Sequence, residues 1–275
     1  MGKYKIYFDT MGQVKVPSEV YWGAQTQRSI DNFKIGKEVM PLEIIKALAI
    51  IKKAVARVNL NNGLLDEQTA EAIIKSADEI IVGQLDQHFP LLVWQTGSGT
   101  QTNMNVNEVI ANRSNEILGE DLVHPNDHVN KSQSSNDTFP TAMHIAAVLA
   151  LDSKLKPAIS SLIETMDALI TENKDIIKIG RTHLQDATPL TLGQEISGWK
   201  RMLEKSLMMM DDSIKHLNEL AIGGTAVGTG LNTFVGFDRA VVDEINKYTS
   251  MEFVLAANKF HSLTSKDELV FAHGG

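Results

Sequence analysis

Four polar stretches of this 275-residue chain carry side-chain types suited to ligand binding and proton transfer. They are residues 95–105, 124–137, 180–189 and 223–232, and they lie between segments of helical periodicity. The first N–H groups of a helix lack an intrahelical partner, and the helix dipole is positive there. Hydroxyl, amide and imidazole groups at helix starts therefore favour an anion-binding site, and we expect these stretches to converge on an anionic ligand.

The first stretch contains Gly97-Ser98-Gly99-Thr100 directly before a helical pattern with Met104, Val109 and Ile110. Ser98 and Thr100 are candidate ligand-binding residues, because their hydroxyls would lie at the start of that helix. A capped helix after a flexible loop is the alternative interpretation of the same residues.

The second stretch leads through Pro140 into a long helix, since proline is tolerated in the first turn of a helix. Ser134, Ser135 and Asn136 would lie at the N-terminus of that helix as donors to a carboxylate. Helix capping and an Asx turn explain one or two of these polar residues, but not the whole set.

His124 and Asp127, in the same stretch, raise the alternative of a metal site. No helical His pair or other ligand cluster accompanies them, so no metal site is predicted.

The third stretch contains His183, whose ordinary pKa suits proton transfer near neutral pH. A single His is more often a structural hydrogen-bonding residue, so this alternative stays open. The fourth stretch, Gly223–Asn232, is a glycine-rich turn that no predicted strand precedes. It therefore lacks the context of a dinucleotide fingerprint, and no cofactor is predicted.

Three long segments of helical periodicity and one short hairpin account for the predicted elements. The hairpin joins Lys3–Phe8 to Gly12–Val16, and helix is expected elsewhere. A mainly all-α fold follows. The helical stripes are Leu42, Ile45, Leu48, Ile51, Val55 and Val58; then, from near Asn136, Val148, Leu151, Leu155, Ile159, Leu162, Met166 and Leu169; and finally Leu192, Ile196, Trp199, Leu203, Leu207, Met210, Ile214 and Leu217.

The bulk composition excludes several classes of protein. An apolar content of 43% supports one large core or two modest domains, and a net charge of −8 argues against a nucleic-acid partner. No run approaches the roughly 20 apolar residues of a membrane-spanning helix, and the start lacks a secretory signal, so a cytoplasmic protein without a membrane partner is expected. The absence of cysteine excludes disulfides and thiol chemistry.

Taken in order, the motifs resemble the fumarase/aspartase superfamily and, within it, class II fumarase. The resemblance extends over nearly the whole chain. It is carried by Val16-Pro17, Trp22-Gly23-Ala24-Gln25-Thr26-Gln27-Arg28-Ser29, Trp94-Gln95-Thr96-Gly97-Ser98-Gly99-Thr100, Lys131-Ser132-Gln133-Ser134-Ser135-Asn136-Asp137 and Gly180-Arg181-Thr182-His183-Leu184-Gln185-Asp186-Ala187-Thr188-Pro189-Leu190.

The resemblance implies a role for each candidate residue. Substrate binding is implied for Ser98 and Thr100, and binding of a substrate carboxylate for Ser134, Ser135 and Asn136. Thr182 and His183 would lie beside the reacting carbons, with His183 catalytic. An accessory dicarboxylate site, the B site of the family, is implied for His124, Asn126 and Asp127.

The resemblance also implies the reaction and the architecture. The reaction is the reversible hydration of fumarate to L-malate in the citric acid cycle, without a cofactor. The implied fold is a small N-terminal domain, residues 1–133, followed by the first part of a long-helix bundle, residues 134–275. The family forms homotetramers whose active sites combine residues from three subunits.

One departure from the family concerns a catalytic loop. The family's Gly-Ser-Ser-x-Met-Pro-x-Lys-x-Asn loop, whose serine is assigned as the base, does not occur in this sequence. Residues 267–275 also look like a helix in progress. We therefore expect a truncated chain that is inactive alone and that self-associates through its uncovered apolar stripes.

Two alternatives remain. Aspartate ammonia-lyase shares the dicarboxylate core, although its first motif typically resembles Gly-Thr-Ser-x-Asn-Met-Asn. A non-catalytic helical assembly fragment is compatible with the long stripes, but such a bundle does not require His183 or the Ser134–Asn136 triplet.

Overall fold

The computed structural model describes residues 3–275, and its fold is mainly helical, as predicted. The chain divides into two compact units. The first runs to Ala146 and includes Asn218–Ser265; the second comprises Ala147–Leu217 and Lys266–Gly275. The domain division expected from the sequence, 1–133 and 134–275, stays a prediction.

The predicted N-terminal hairpin is confirmed. Strand β1 (Tyr4–Asp9) pairs antiparallel with β2 (Gly12–Pro17). Val14 and Val16 are buried on one face of β2, as the strand alternation requires. The hairpin is fixed to helix α1 (Ala24–Asn32) by the Arg28 guanidinium, which binds both carboxylate oxygens of Asp9.

The core of the first unit forms around α2, the first predicted long helix. Five of its six stripe residues, Ile45, Leu48, Ile51, Val55 and Val58, are buried, and Leu42 at the start of the helix is half-buried. Helix α2 contacts α3, α4 and α8, so its buried surface is wider than one stripe. The helices of this unit are α1, α2 (Leu42–Asn61), α3 (Glu67–Ile81), α4 (Thr100–Leu118), the start of α5 (Ser135–Ala150), α8 (Phe237–Thr249) and α9 (Lys259–Thr264).

The second predicted long helix is continuous but contains a wider turn. Helix α5 passes through a π-helical turn, Leu151–Leu155, into α6 (Lys156–Glu172). In that turn the Lys156 N–H donates to the Leu151 carbonyl five residues earlier. The next residue, Pro157, has no N–H to continue the regular pattern, which accounts for the change at this position.

The expectation that strands are limited to the N-terminal hairpin is wrong at residues 177–191. Strand β3 (Ile177–Thr182) pairs antiparallel with β4 (Gln185–Thr191), with a bulge between Ile179 and Arg181. Strand β3 contains two isoleucines and one threonine and β4 contains two threonines, and such β-branched residues favour strands. A Cβ atom at Gly180 would lie 2.7 Å from the Thr188 carbonyl oxygen, so this close pairing requires glycine. Short strands β5 (Glu219–Leu220) and β6 (Val254–Leu255) also pair, in parallel.

The second unit is built on α7 (Leu192–Leu217), the third predicted long helix. Helix α7 contacts α6 and the terminal helix α10 (Asp267–Gly274). The presence of α10 confirms the helical character predicted for residues 267–275. Phe271 of α10 packs edge-on against His216 of α7, with ring centroids 5.6 Å apart. No residue of α6 is fully buried, and Leu162 is 45% exposed. Self-association through this surface stays a prediction.

Within residues 3–275, no helix combines the length and the apolar character that a membrane crossing requires.

Candidate active site

The predicted donor turn, defined as Ser134, Ser135 and Asn136, lies at the start of α5. The Ser134 hydroxyl accepts a hydrogen bond from the Asn136 N–H at 3.2 Å, and the Ser134 N–H donates to Asp137 Oδ1 at 3.0 Å. These reciprocal bonds stabilise the first turn of the helix. Ser134 and Ser135 are half-buried and Asn136 is exposed, so the turn is accessible from solvent.

Ser98 and Thr100 lie at the start of α4. Gly99 caps this helix in the left-handed conformation, with φ +74°, and α4 begins at Thr100. The Ser98 and Thr100 hydroxyls lie 3.0 Å apart, and both residues are exposed. Two hydroxyl groups therefore stand beside the positive end of a second helix.

These two helix starts are in contact. The Asn103 side-chain amide donates to the Ser135 hydroxyl at 3.2 Å, and the Thr138 hydroxyl donates to Asn103 Oδ1 at 3.3 Å. Asn103 is buried, so its bond with Thr138 is shielded from water, whereas its bond with Ser135 is partly buried. The five predicted substrate-binding residues of the first two stretches are thus brought to adjacent helix ends, and their binding role stays a prediction.

A fully buried lysine, which the sequence analysis did not single out, supports this region. The Lys52 ammonium of α2 donates to Asn130 Oδ1 and Gln133 Oε1, each at 3.0 Å. Burial lowers the pKa of Lys52 to about 7, against the opposing effect of the Asp137 charge. The spacing of Lys52 from Ile45 and Leu48, seven and four residues, is the signal that this lysine belongs to the buried stripe.

Asn130 is the centre of the buried polar network. Its Oδ1 also accepts hydrogen bonds from the side-chain amides of Asn103 at 3.1 Å and Asn107 at 3.2 Å. The network therefore connects α2 and α4 to the segment that precedes the donor turn. Buried polar groups with partners of this kind hold their neighbours in one arrangement.

Asp137 connects α5 to the glycine-rich loop, residues 223–232. Its buried carboxylate accepts from the Gly223 N–H at 3.0 Å and the Thr225 N–H at 2.9 Å. Burial raises the pKa of Asp137, while the backbone N–H donors and Lys52 act in the opposite direction. The Asn136 side-chain amide donates to the Ala226 carbonyl at 2.8 Å, so a second bond fastens the loop to the donor turn.

The predicted accessory residues lie around a π-helical turn, Pro125–Val129, which His124 caps. His124 Nδ1 accepts from the backbone N–H groups of Asn126 at 3.3 Å and Asp127 at 3.2 Å. In the tautomer in which Nδ1 accepts these bonds, the Nε2–H group is left as the donor for an anionic ligand. The His124 and Asp127 side chains are largely exposed.

One cavity brings part of this turn and the donor turn together. It has a volume of about 600 Å³ and is lined by Asn126, Asp127, Ser134, Thr225 and Asn232, among others. Two of the predicted accessory residues, Asn126 and Asp127, therefore share one cavity within the first unit with Ser134 of the donor turn.

Thr182 and His183 lie in the second unit, at the end of the β3–β4 hairpin. The two hairpin residues, His183 and Leu184, both have left-handed conformations, with φ of +53° and +60°. That geometry suits a two-residue hairpin turn but is costly for residues other than glycine or asparagine. Both residues are exposed, so the turn presents an imidazole to solvent.

Within residues 3–275, no group of three or more His, Asp or Glu side chains is arranged to hold a metal ion.

Two curated relatives carry the name of one enzyme. "Fumarate hydratase class II" of Bacillus cereus is 60% identical over 276 residues, which cover 99% of this chain. The protein of that name from Bacillus subtilis is 56% identical over 276 residues, again 99% of this chain. In both comparisons the chain spans 60% of the length of the curated relative.

Solved structures share the fold. A class II fumarase from Schistosoma mansoni matches with a TM-score of 0.94 and 40% identity, over 99% of this chain and 61% of that one. A cobalt-bound fumarate lyase:delta crystallin from Brucella melitensis matches with a TM-score of 0.95 and 35% identity, over 99% of this chain and 60% of that one. The sequence profile of the family described as Lyase matches residues 12–275, and the chain therefore belongs to the lyase family.

Proposed function

We propose that the whole protein is a class II fumarate hydratase, a carbon–oxygen lyase that interconverts fumarate and L-malate in the citric acid cycle of the cytoplasm. The observation that carries the proposal is the contact between two helix starts that bear hydroxyl and amide donors, made by Asn103 and Ser135. Paired helix starts suit a dianion, because each supplies unpaired N–H groups and a positive dipole end. The 60% identity to a protein named as a class II fumarate hydratase supports this choice of dianion.

The donor turn would stabilise the charge that develops during dehydration of malate. Removal of the proton beside a carboxylate transfers charge to that carboxylate, and no side chain removes such a proton unless this charge is stabilised. Ser134, Ser135 and Asn136 would provide that stabilisation. His183 would handle the proton of the leaving hydroxyl through a water molecule, so that the hydroxyl departs as water.

The base on the opposite face of the substrate has no candidate in this chain. The serine loop to which the family assigns that role is absent from residues 1–275. We therefore expect the 275-residue chain by itself to bind the dicarboxylate without turnover. In the whole protein, a homotetramer without cofactors, the active site would be completed by residues from neighbouring copies, with Thr182 and His183 on the hairpin of one of them.

Calorimetric titration of the purified chain with fumarate, L-malate and L-aspartate tests the binding proposal. Binding of fumarate and L-malate with weaker binding of L-aspartate would support a fumarate hydratase. Preferential binding of L-aspartate would favour an aspartate ammonia-lyase, and no binding of any of the three would favour a helical assembly fragment. The ultraviolet absorbance of fumarate tests turnover in the same samples, and steady conversion of malate would contradict the expected inactivity.

A further inference from the structure

We propose that Asp137 is a positioning residue that fixes the glycine-rich loop to the start of α5, and that the loop in turn sets the orientation of the Asn136 amide. This inference deepens the proposed function and rests on it, because Asn136 is there a residue that binds the substrate carboxylate. Asp137 itself would not touch the substrate, since its side chain is fully buried.

The Asp137 carboxylate uses both of its oxygens to join two distant parts of the chain. Oδ1 accepts from the Ser134 N–H of the donor turn, and Oδ2 accepts from the N–H groups of Gly223 and Thr225. A buried carboxylate is costly unless hydrogen bonds compensate it. Movement of the loop away from α5 would remove two of the three donors, so the carboxylate holds the loop in place.

The loop is also anchored on its opposite side. Gly223 has φ +84°, and a Cβ atom there would lie 2.4 Å from Asp238 Cβ, so residue 223 must be glycine for this approach. The Asp238 carboxylate pairs with the Lys259 ammonium at 2.9 Å, and Lys259 also donates to the Ile222 carbonyl at 2.8 Å. Helices α8 and α9 therefore hold the start of the loop independently of Asp137.

The consequence for Asn136 follows from the chemistry of its partner. The Ala226 carbonyl can only accept a hydrogen bond, so the amide nitrogen of Asn136 must face it, as the 2.8 Å distance indicates. One N–H of Asn136 is then occupied, one N–H remains for a carboxylate, and Oδ1 remains as an acceptor for a hydroxyl or water. A released loop would leave the amide free to present either end to the substrate.

Amide hydrogen exchange in the ligand-free wild-type chain gives the first test. We expect slow exchange at Gly223 and Thr225 and a distinct, slowly exchanging side-chain NH₂ signal from Asn136 in nuclear magnetic resonance spectra. Exchange at the rate of unprotected loop amides would overturn the proposal. This measurement needs no variant to fold.

Asp137→Asn gives the second test, with Glu108→Gln as its matched control. Glu108 is another buried carboxylate that accepts three backbone N–H groups, from Gly23, Gln25 and Thr26. We expect Asp137→Asn to raise exchange at Gly223 and Thr225 by about tenfold and to shift the Asn136 side-chain signal. Glu108→Gln should lower the unfolding midpoint without either change.

The two variants separate positioning from general stability. An unmoved Asn136 signal in Asp137→Asn, or the same changes in both variants, would overturn the proposal. Fumarate titration of the same samples keeps the two hypotheses apart. Failure of the wild-type chain to bind fumarate would count against the proposed function, whereas the exchange pattern measures the positioning without any ligand.

Discussion

The ring of Phe139, one turn into α5, fills the space that a side chain at Gly99 would need. A Cβ atom on residue 99 would stand 2.2 Å from Phe139 Cγ, and Gly99 has φ +74°. This contact brings the start of α4 against the start of α5. The hydroxyls of Ser98 and Thr100 consequently stand near the donor turn without a bond of their own to it.

Gly99→Ala should therefore disturb the approach of the two helices. Gly119→Ala is its matched control, because Gly119 ends the same helix at φ +76° with nothing near its missing Cβ. We expect a loss of about 1 kcal/mol of unfolding free energy for Gly119→Ala, from backbone strain, and about 3 kcal/mol for Gly99→Ala, from strain and overlap. Urea unfolding measures both, and equal losses would contradict the steric contact.

Asn136→Ala should weaken the binding of fumarate by about tenfold, since one hydrogen bond to a charged ligand is lost. Asn62→Ala is the control, because the Asn62 side chain only caps the end of α2 through the Val58 carbonyl. Calorimetric titration compares the dissociation constants of the two variants with that of the wild type. An unchanged constant for Asn136→Ala would remove Asn136 from the binding site.

The burial of Lys52 predicts a pH-dependent stability. Its pKa of about 7 in the folded chain lies below the ordinary value of 10.5, so between these values the unfolded chain holds the proton and the folded chain does not. The unfolding free energy contributed by Lys52 therefore rises with pH, by about 2 kcal/mol between roughly pH 7 and pH 9. The difference between wild type and Lys52→Met in urea unfolding should grow by that amount. Growth of the same size in Lys53→Met, which removes a lysine paired with Asp78, would contradict the assignment.

Leu184→Gly should stabilise the β3–β4 hairpin. Leu184 is 94% exposed, so little packing is lost, while glycine relieves its left-handed conformation. We expect a gain of about 0.5–1 kcal/mol, and the same for Ser250→Gly at the left-handed end of α8, which serves as the positive control. A lower unfolding midpoint for Leu184→Gly, measured by circular dichroism, would indicate that the leucine side chain makes a stabilising contact.

His183→Gly should give a similar gain in stability but remove the imidazole. In the whole protein we expect turnover of malate to fall by at least about 100-fold, the usual contribution of a general acid or base. Retained turnover would show that His183 is a structural residue of the hairpin.

The helical elements and the N-terminal hairpin were predictable from residue spacing. Ile45, Leu48 and Ile51 follow the helical period, and this period predicts one buried face of α2, whereas the contacts of α2 with α3, α4 and α8 bury a wider surface. The β3–β4 hairpin is not predictable from residue spacing, because Gly180 and Pro189, which are uncommon inside strands, interrupt its two short segments. Its stability depends on cross-strand pairs such as Ile177 and Thr191, which lie fourteen positions apart in the chain.

The candidate site was only partly predictable. Serine and asparagine before an apolar helix mark a helix start, and the structure has α5 beginning at Ser135. Ala226 carries no signal in the sequence, because it contributes a backbone carbonyl rather than a side chain. In the sequence, Asp137 is an ordinary acidic residue in the first turn of a helix. Only the fold shows that its carboxylate accepts hydrogen bonds from the N–H groups of Gly223 and Thr225.

The sequence by itself determined the helix starts, the donor types and the family of the chain, because periodicity and ordered motifs are local properties. Only the tertiary structure decided which donors lie next to each other and that Lys52 is buried without a carboxylate in direct contact. It also decided that one N–H of the Asn136 side-chain amide already donates to a backbone carbonyl. These facts depend on contacts between residues up to 90 positions apart. Burial determines how much these hydrogen bonds contribute to stability, because the same polar groups in water would form hydrogen bonds with solvent instead.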